Sequence, residues 1–146
     1  MKILVTRVHQ AEVAVGGRTV SSIKKGIAVF VGLEKGDDYP VLSEMAEKVV
    51  NLRIFENKQG KFHYSLKDKN YQIMCISNFT LCANTKKGRR PSFEEATPLE
   101  RANKLFDGFI LELKSKGVDA RTGVFGEHMD IALDLDGPVN IVLESG

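Results

Sequence analysis

Near the start of the chain, apolar residues recur at every second position, at Ile3 and Val5 and again at Val13 and Val15. That is the period of a strand with one face covered, so strands are expected over residues 2–9 and 11–15. Gly16-Gly17 follows, and both positions can take positive φ, which reads as a two-residue hairpin turn into Arg18-Thr19-Val20. From Gly26 to Leu33 the alternation gives way to an almost unbroken apolar run, Ile27-Ala28-Val29-Phe30-Val31. Such a run fits a central strand covered on both faces.

The period then lengthens. Val41, Leu42, Met45, Val49 and Val50 share one helical face, and Asp37-Asp38-Tyr39-Pro40 ahead of them supplies N-terminal signals. Arg53-Ile54-Phe55 reads as a short strand, Asn57-Lys58-Gln59-Gly60 as a turn, and residues 71–76 as a buried strand. Leu99, Ala102, Leu105, Phe106, Phe109, Ile110 and Leu113 form the stripe of a second helix. Thr97 and Glu100 have the spacing of a capping box, with Pro98 at the first helical position, while Lys114, Lys116 and Gly117 suit the other end. Further strands are expected from Val118 to Arg121, over Ile131–Leu135 and over Asn140–Glu144. Gly137-Pro138 should divide the last two, because proline does not fit inside a central strand. No repeat or linker interrupts the chain, so residues 1–146 read as a single domain. Many short strands with two helices predict the α+β class, with a mixed or antiparallel sheet covered by helices.

Composition adds little to this picture. At 42% hydrophobic and 27% charged residues, it is that of an ordinary soluble globular chain. The net charge of +2 does not by itself imply nucleic-acid binding, but Lys86, Lys87, Arg89 and Arg90 fall within five positions. No apolar run approaches the ~18 residues of a membrane span, and the N-terminus lacks the apolar core of a signal peptide. A cytoplasmic protein is therefore expected, with Cys75 and Cys82 as reduced, buried thiols. His9, His63 and His128 are scattered, and the sequence lacks the HExxH, GxSxG and P-loop patterns. Neither a metal nor a cofactor is expected.

The chemistry concentrates between Tyr71 and Phe93. A buried strand ends at Ile76, the polar Ser77-Asn78-Phe79-Thr80-Leu81 follows, and then the basic Lys86-Lys87-Gly88-Arg89-Arg90-Pro91-Ser92-Phe93. Each element has a plain reading by itself. Ser77 and Thr80 would satisfy backbone groups at a strand end, the basic run would be a solvated loop, Phe125 and Met129 would be core, and Arg7 a snorkelling edge residue. In this order and at this spacing, however, the stretches resemble the D-aminoacyl-tRNA deacylase family. The likeness runs from the first strand and Arg7 through Ser77–Leu81 and the basic stretch. It continues through Thr122-Gly123-Val124-Phe125-Gly126 with Met129 to Gly137-Pro138-Val139 and Leu143-Glu144-Ser145.

The resemblance implies a homodimer whose mixed or antiparallel sheets are barrel-like and flanked by two main helices. It implies hydrolysis of the ester that joins a D-amino acid, or glycine, to the terminal adenosine of tRNA, without a cofactor. Ser77, Asn78, Phe79 and Thr80 then form the catalytic motif. Gly137, Pro138, Val139 and Asn140, with Phe125, Met129 and Arg7, belong to substrate binding. The Gly137-Pro138 bond is expected to be cis and to reach the partner's pocket, where its carbonyl oxygens hold the amino group and exclude an L side chain, with Arg7 bracing the dipeptide. Lys86, Lys87, Arg89 and Arg90 would meet tRNA phosphates. Two positions depart from the family's habit, which has Gln where this chain has Asn78 and Thr where it has Asn140.

Hydrolysis of an activated ester needs a placed water and donors for the oxyanion, and backbone N–H groups around Phe79 and Thr80 are candidates. Two other readings stand beside this one. A non-catalytic nucleic-acid-binding protein would use the basic loop with Phe79 and Phe93 as stacking groups. A serine or threonine hydrolase of small esters would need a base that no residue from Ser77 to Ala83 provides.

Overall fold

The computed structural model describes residues 1–146. Its centre is one long strand, β1 (Lys2–Val15), where two were expected. Along one edge β1 pairs antiparallel with β2 (Arg18–Ile23) and β3 (Gly26–Gly32), and along the other with β8 (Asp130–Glu144). Beyond β3 the sheet continues in parallel with β6 (Gln72–Ser77) and then β7 (Ala120–Thr122). The result is a mixed, six-stranded, barrel-like sheet. A parallel β3–β6 pair needs a crossover. That crossover holds α1 (Tyr39–Asn51), the small ladder of β4 (Phe55–Glu56) and β5 (Phe62–Tyr64), and the single turn α2 (Leu66–Lys69). The expected strand at 53–55 is reduced to Phe55–Glu56. The second main helix, α3 (Leu99–Ser115), packs on α1.

The apolar run of β3 is covered on both faces, as its pattern demanded. Ile27, Val29 and Val31 belong to the main core under α1 and α3, together with Ile73 and Cys75 of β6. Ala28 faces the other way, with Met74, Ile76, Val8 and Val13 in a second cluster. Period-two alternation thus divides one run between two cores. Both cysteines are buried and unbridged.

The helix starts differ from each other. Asp38 caps α1, accepting the Val41 N–H at 3.2 Å. At α3 the expected capping box does not form: Pro98 occupies the N-cap position and no side chain caps the helix. The Thr97 backbone N–H instead donates to the Leu33 carbonyl at 2.9 Å, which ties Thr97 to the end of β3. Its side chain is thereby buried, and Oγ1 finds no hydrogen-bond partner.

Gly137-Pro138 also behaves differently from the expected divider. Strand β8 runs on through it. The pairs Thr6↔Asn140 and Val8↔Leu135 leave Asp136 to Val139 opposite the single residue Arg7. The proline is accommodated because these residues bulge out of the ladder, on a strand that pairs only with β1.

Candidate active site

Strand β6 ends at Ser77, which pairs with Val31 of β3. The Asn78 N–H continues this attachment by donating to the Val31 carbonyl at 2.8 Å. The chain then folds into a 3₁₀ turn, Phe79–Cys82, laid directly on β3. Gly32 makes that approach possible. A Cβ there would lie 2.9 Å from Leu81 Cβ and 3.0 Å from Cys82 Sγ, closer than ordinary packing allows.

The turn forms one wall of a cavity of about 430 Å³. Ser77, Asn78 and Phe79 line it from β6 and the turn, and Phe125 and Met129 from the β7–β8 connection. Phe125 is held against Phe106 of α3, with ring centroids 5.9 Å apart. Met129 lies over Gly123, where a Cβ would come within 2.5 Å of its sulfur. Five expected site residues therefore meet in one place.

Several lining residues were not anticipated. Leu99 and Ala102 come from the first turns of α3, and Thr97 from just before it. Glu127 is the one charged residue of the lining. Glu127 stands between Phe125 and Met129, two expected site residues, and that neighbourhood is the sequence signal that could have found it.

Thr80 does not line the cavity. Its backbone N–H donates to Asn78 Oδ1 at 3.2 Å, and its hydroxyl donates to the same oxygen. Asn78 thus caps the turn that follows it. Neither thiol is an alternative nucleophile. Burial pushes the Cys75 thiol far above its usual range, and burial followed by the Glu34 carboxylate raises that of Cys82.

Gly137, Pro138, Val139 and Asn140 lie apart from the cavity of their own chain. The Gly137-Pro138 bond is cis. Arg7 is 7% exposed and lies beneath this bulge. Its Nε donates to the Asp136 carbonyl at 2.9 Å and its Nη1 to the Ile54 carbonyl at 2.7 Å. Nη2 faces Asp136 Oδ1 at 3.4 Å and Glu56 Oε1 at 3.5 Å. The guanidinium therefore ties the residue before Gly137 to the start of β4.

Lys86, Lys87, Arg89 and Arg90 are all exposed. Their loop is closed by paired backbone bonds between Asn84 and Ser92, at 2.8 and 3.0 Å. Phe93 at its base packs edge-on against Phe79, with centroids 5.0 Å apart, which joins the loop to the cavity wall. The three histidines stay apart: His9 lies beside Asp136, His63 against Tyr64, and His128 beside Asp130.

Comparison with known proteins extends this picture. The family model described as D-Tyr-tRNA(Tyr) deacylase matches residues 4–144. A D-aminoacyl-tRNA deacylase of Aquifex aeolicus is 44% identical over 145 residues, covering 99% of this chain and 98% of the relative. That of Thermodesulfovibrio yellowstonii is 46% identical, with 99% of each chain covered. Among solved structures, one titled c-Myc DNA Unwinding Element Binding Protein superposes with a TM-score of 0.94 at 39% identity, covering 100% of this chain and 99% of its own. A probable eukaryotic D-amino acid tRNA deacylase shares the fold, with a TM-score of 0.84 at 14% identity over 97% of each chain.

Proposed function

The chain belongs to the D-aminoacyl-tRNA deacylase family of ester hydrolases, and from that membership we propose that its cavity hydrolyses the ester of D-aminoacyl-tRNA and of glycyl-tRNA while rejecting the L form. The observation that carries this reading is the division of the site. The cavity wall of Ser77, Asn78 and Phe79 is in one place, and the Gly137-Pro138 bulge is displayed elsewhere, braced by Arg7. In a two-fold dimer each bulge enters the partner's cavity. Its carbonyl oxygens accept from the substrate's ammonium group, and the bulge itself fills the space an L side chain would need. Glycine has no side chain to exclude, so its ester passes the same filter.

The terminal adenosine then rests against the aromatic part of the lining, Phe79 and Phe125. Attack on the ester carbonyl by water builds negative charge on its oxygen. Backbone N–H groups at the start of the 3₁₀ turn meet that charge, that of Thr80 once Asn78 Oδ1 releases it. The 2′-hydroxyl beside the ester helps to activate the water. Thr80 positions the turn, and no acyl-enzyme forms. The biological role is removal of D-amino acids from tRNA in the cytoplasm, a chiral check on translation. No helix is long and apolar enough to cross a membrane.

A second reading has one observation in its favour. The solved structure at 39% identity is titled as a DNA-element-binding protein, and the basic loop here is fully exposed. Under that reading the protein would bind nucleic acid without hydrolysis. Incubation with D-aminoacyl-tRNA, L-aminoacyl-tRNA and a free D-amino-acid ester decides among these. Release from the D-aminoacyl-tRNA alone is expected. Equal rates on both enantiomers would remove the chiral filter, and no release from either would favour the binding protein.

A further inference from the structure

A second, smaller cavity of about 260 Å³ opens beside the Arg7–Asp136 brace and shares no lining residue with the cavity of Ser77, Asn78 and Phe79. Two lysines from distant parts of the chain converge on it: Lys25 from the β2–β3 turn and Lys69 from the end of α2. Both ammonium groups lie near the ring of Tyr71, at 5.9 and 5.8 Å from its centroid, and Lys69 is also 4.8 Å from that of Tyr64. Tyr71 is itself fixed edge-on against the buried Phe55, with centroids 5.1 Å apart. The aromatic floor therefore restricts two side chains that are normally free, which lowers the entropy cost of using them.

Arg7, Lys25 and Lys69 against Glu56 and Asp136 leave the cavity with one net positive charge. The cavity's carboxylates, Glu56 and Asp136, both face Arg7. Neither Lys25 nor Lys69 joins an ion pair, in contrast to Lys2, Lys48, Lys104 and Lys116. His9 stands at the rim, 3.9 Å from Asp136. The geometry points to a phosphate site: we infer that Lys25 and Lys69 bind backbone phosphates of the tRNA arm whose aminoacyl end occupies the partner's cavity. This rests on the proposed deacylase reading, because Asp136 directly precedes Gly137-Pro138 and places the lysines on the flank of the bulge. Two ammonium groups on one cavity suit a run of phosphodiesters, each of which carries a single delocalised charge.

The test is Lys25→Gln together with Lys69→Gln, which keeps the stems over the aromatic rings and removes the charge. Binding of uncharged tRNA is measured by fluorescence anisotropy across a salt series, with and without millimolar inorganic phosphate at matched ionic strength as a free-phosphate competitor. The expected result is a log–log salt slope shallower by roughly 1–2, at about 0.7–0.9 per lost contact. Lys25→Arg with Lys69→Arg should restore the slope, inorganic phosphate should compete poorly, and the effect on deacylation should fall in KM. An unchanged slope in the glutamine variant would overturn the inference. So would a loss that arginine does not rescue and that accompanies a lowered Tm, which would make the lysines structural. Efficient competition by inorganic phosphate would overturn the assignment to an RNA backbone. Wild-type deacylation, measured alongside, tests the underlying reading separately, since the salt slope does not depend on turnover.

Discussion

Asn78 and Thr80 share one oxygen: Asn78 Oδ1 accepts both the Thr80 backbone N–H and the Thr80 hydroxyl. A carboxamide oxygen is a poor base, so this contact orients the hydroxyl without activating it. It also means that the Thr80 N–H becomes an oxyanion donor only when the Asn78 side chain yields. Thr80→Ala leaves the backbone bond in place, and appreciable deacylation should survive in it. Asn78→Ala frees that N–H but removes the acceptor that holds the turn and part of the cavity wall. If the turn's shape matters more than the freed donor, the variant's kcat should fall, by at most about 10²–10³, the cost of losing one oxyanion donor. Single-turnover kinetics on both variants, with acid quench and mass spectrometry, provide the check. Recovery of an aminoacyl–Thr80 ester would overturn the assignment, as would complete inactivity of a folded Thr80→Ala protein that still binds tRNA.

Thr97 should be improvable. Its buried Oγ1 has no partner, and a buried hydroxyl without a hydrogen bond costs about 1–3 kcal/mol. Valine has nearly the same shape without that cost. Thr97→Val should therefore raise the urea midpoint, with a gain of about 1 kcal/mol. A lowered midpoint would show that the hydroxyl is satisfied by something the folded chain holds.

Thr97 also marks where the sequence was legible and where it was not. Unbroken apolar runs located β3 and β6, and helical periodicity located both main helices, because a core face repeats at the period of its own element. The capping box failed because its Thr97 amide was claimed by Leu33, a residue 64 positions away that no local pattern reveals. Gly137-Pro138 was read as the break between two strands because proline lacks a ladder donor. The fold resolves this by pushing Asp136 to Val139 out opposite Arg7, a register that exists only once β1 and β8 pair. In the cavity, Ser77, Asn78 and Phe79 could be found because they follow a buried strand. Leu99 could not, because tertiary packing alone brings it there.

The basic loop gives a prediction about salt. Lys86, Lys87, Arg89 and Arg90 are exposed on a loop closed at Asn84 and Ser92, so neutral replacements should leave the fold unchanged. Exchanging all four for glutamine should weaken tRNA binding and flatten the log–log salt slope by roughly 3–4 if each meets a phosphate. The effect on deacylation should appear in KM. A slope equal to that of the wild type would make the loop solvated surface.

The division of the site between cavity and bulge makes the sharpest prediction. Strand β8 leaves its outer edge unpaired, and Leu135 and Val142 on it are 50% and 65% exposed, which gives the proposed dimer an edge and apolar surface to bury. Sedimentation at micromolar concentration should show a dimer, and a fully active monomer would sink the arrangement. Gly137→Ala should reshape the bulge, because a Cβ there would collide with the Val139 amide nitrogen. Activity should fall while the dimer persists. If each bulge serves the partner's cavity, the two damaged parts can be separated. In a heterodimer of Asn78→Ala and Gly137→Ala subunits, the intact cavity of one faces the intact bulge of the other. Mixing the two inactive proteins and allowing subunit exchange should then restore about a quarter of wild-type activity, since half the dimers are mixed and each has one working site of two. If bulge and cavity act within one chain, every subunit in the mixture carries one defect and nothing is restored.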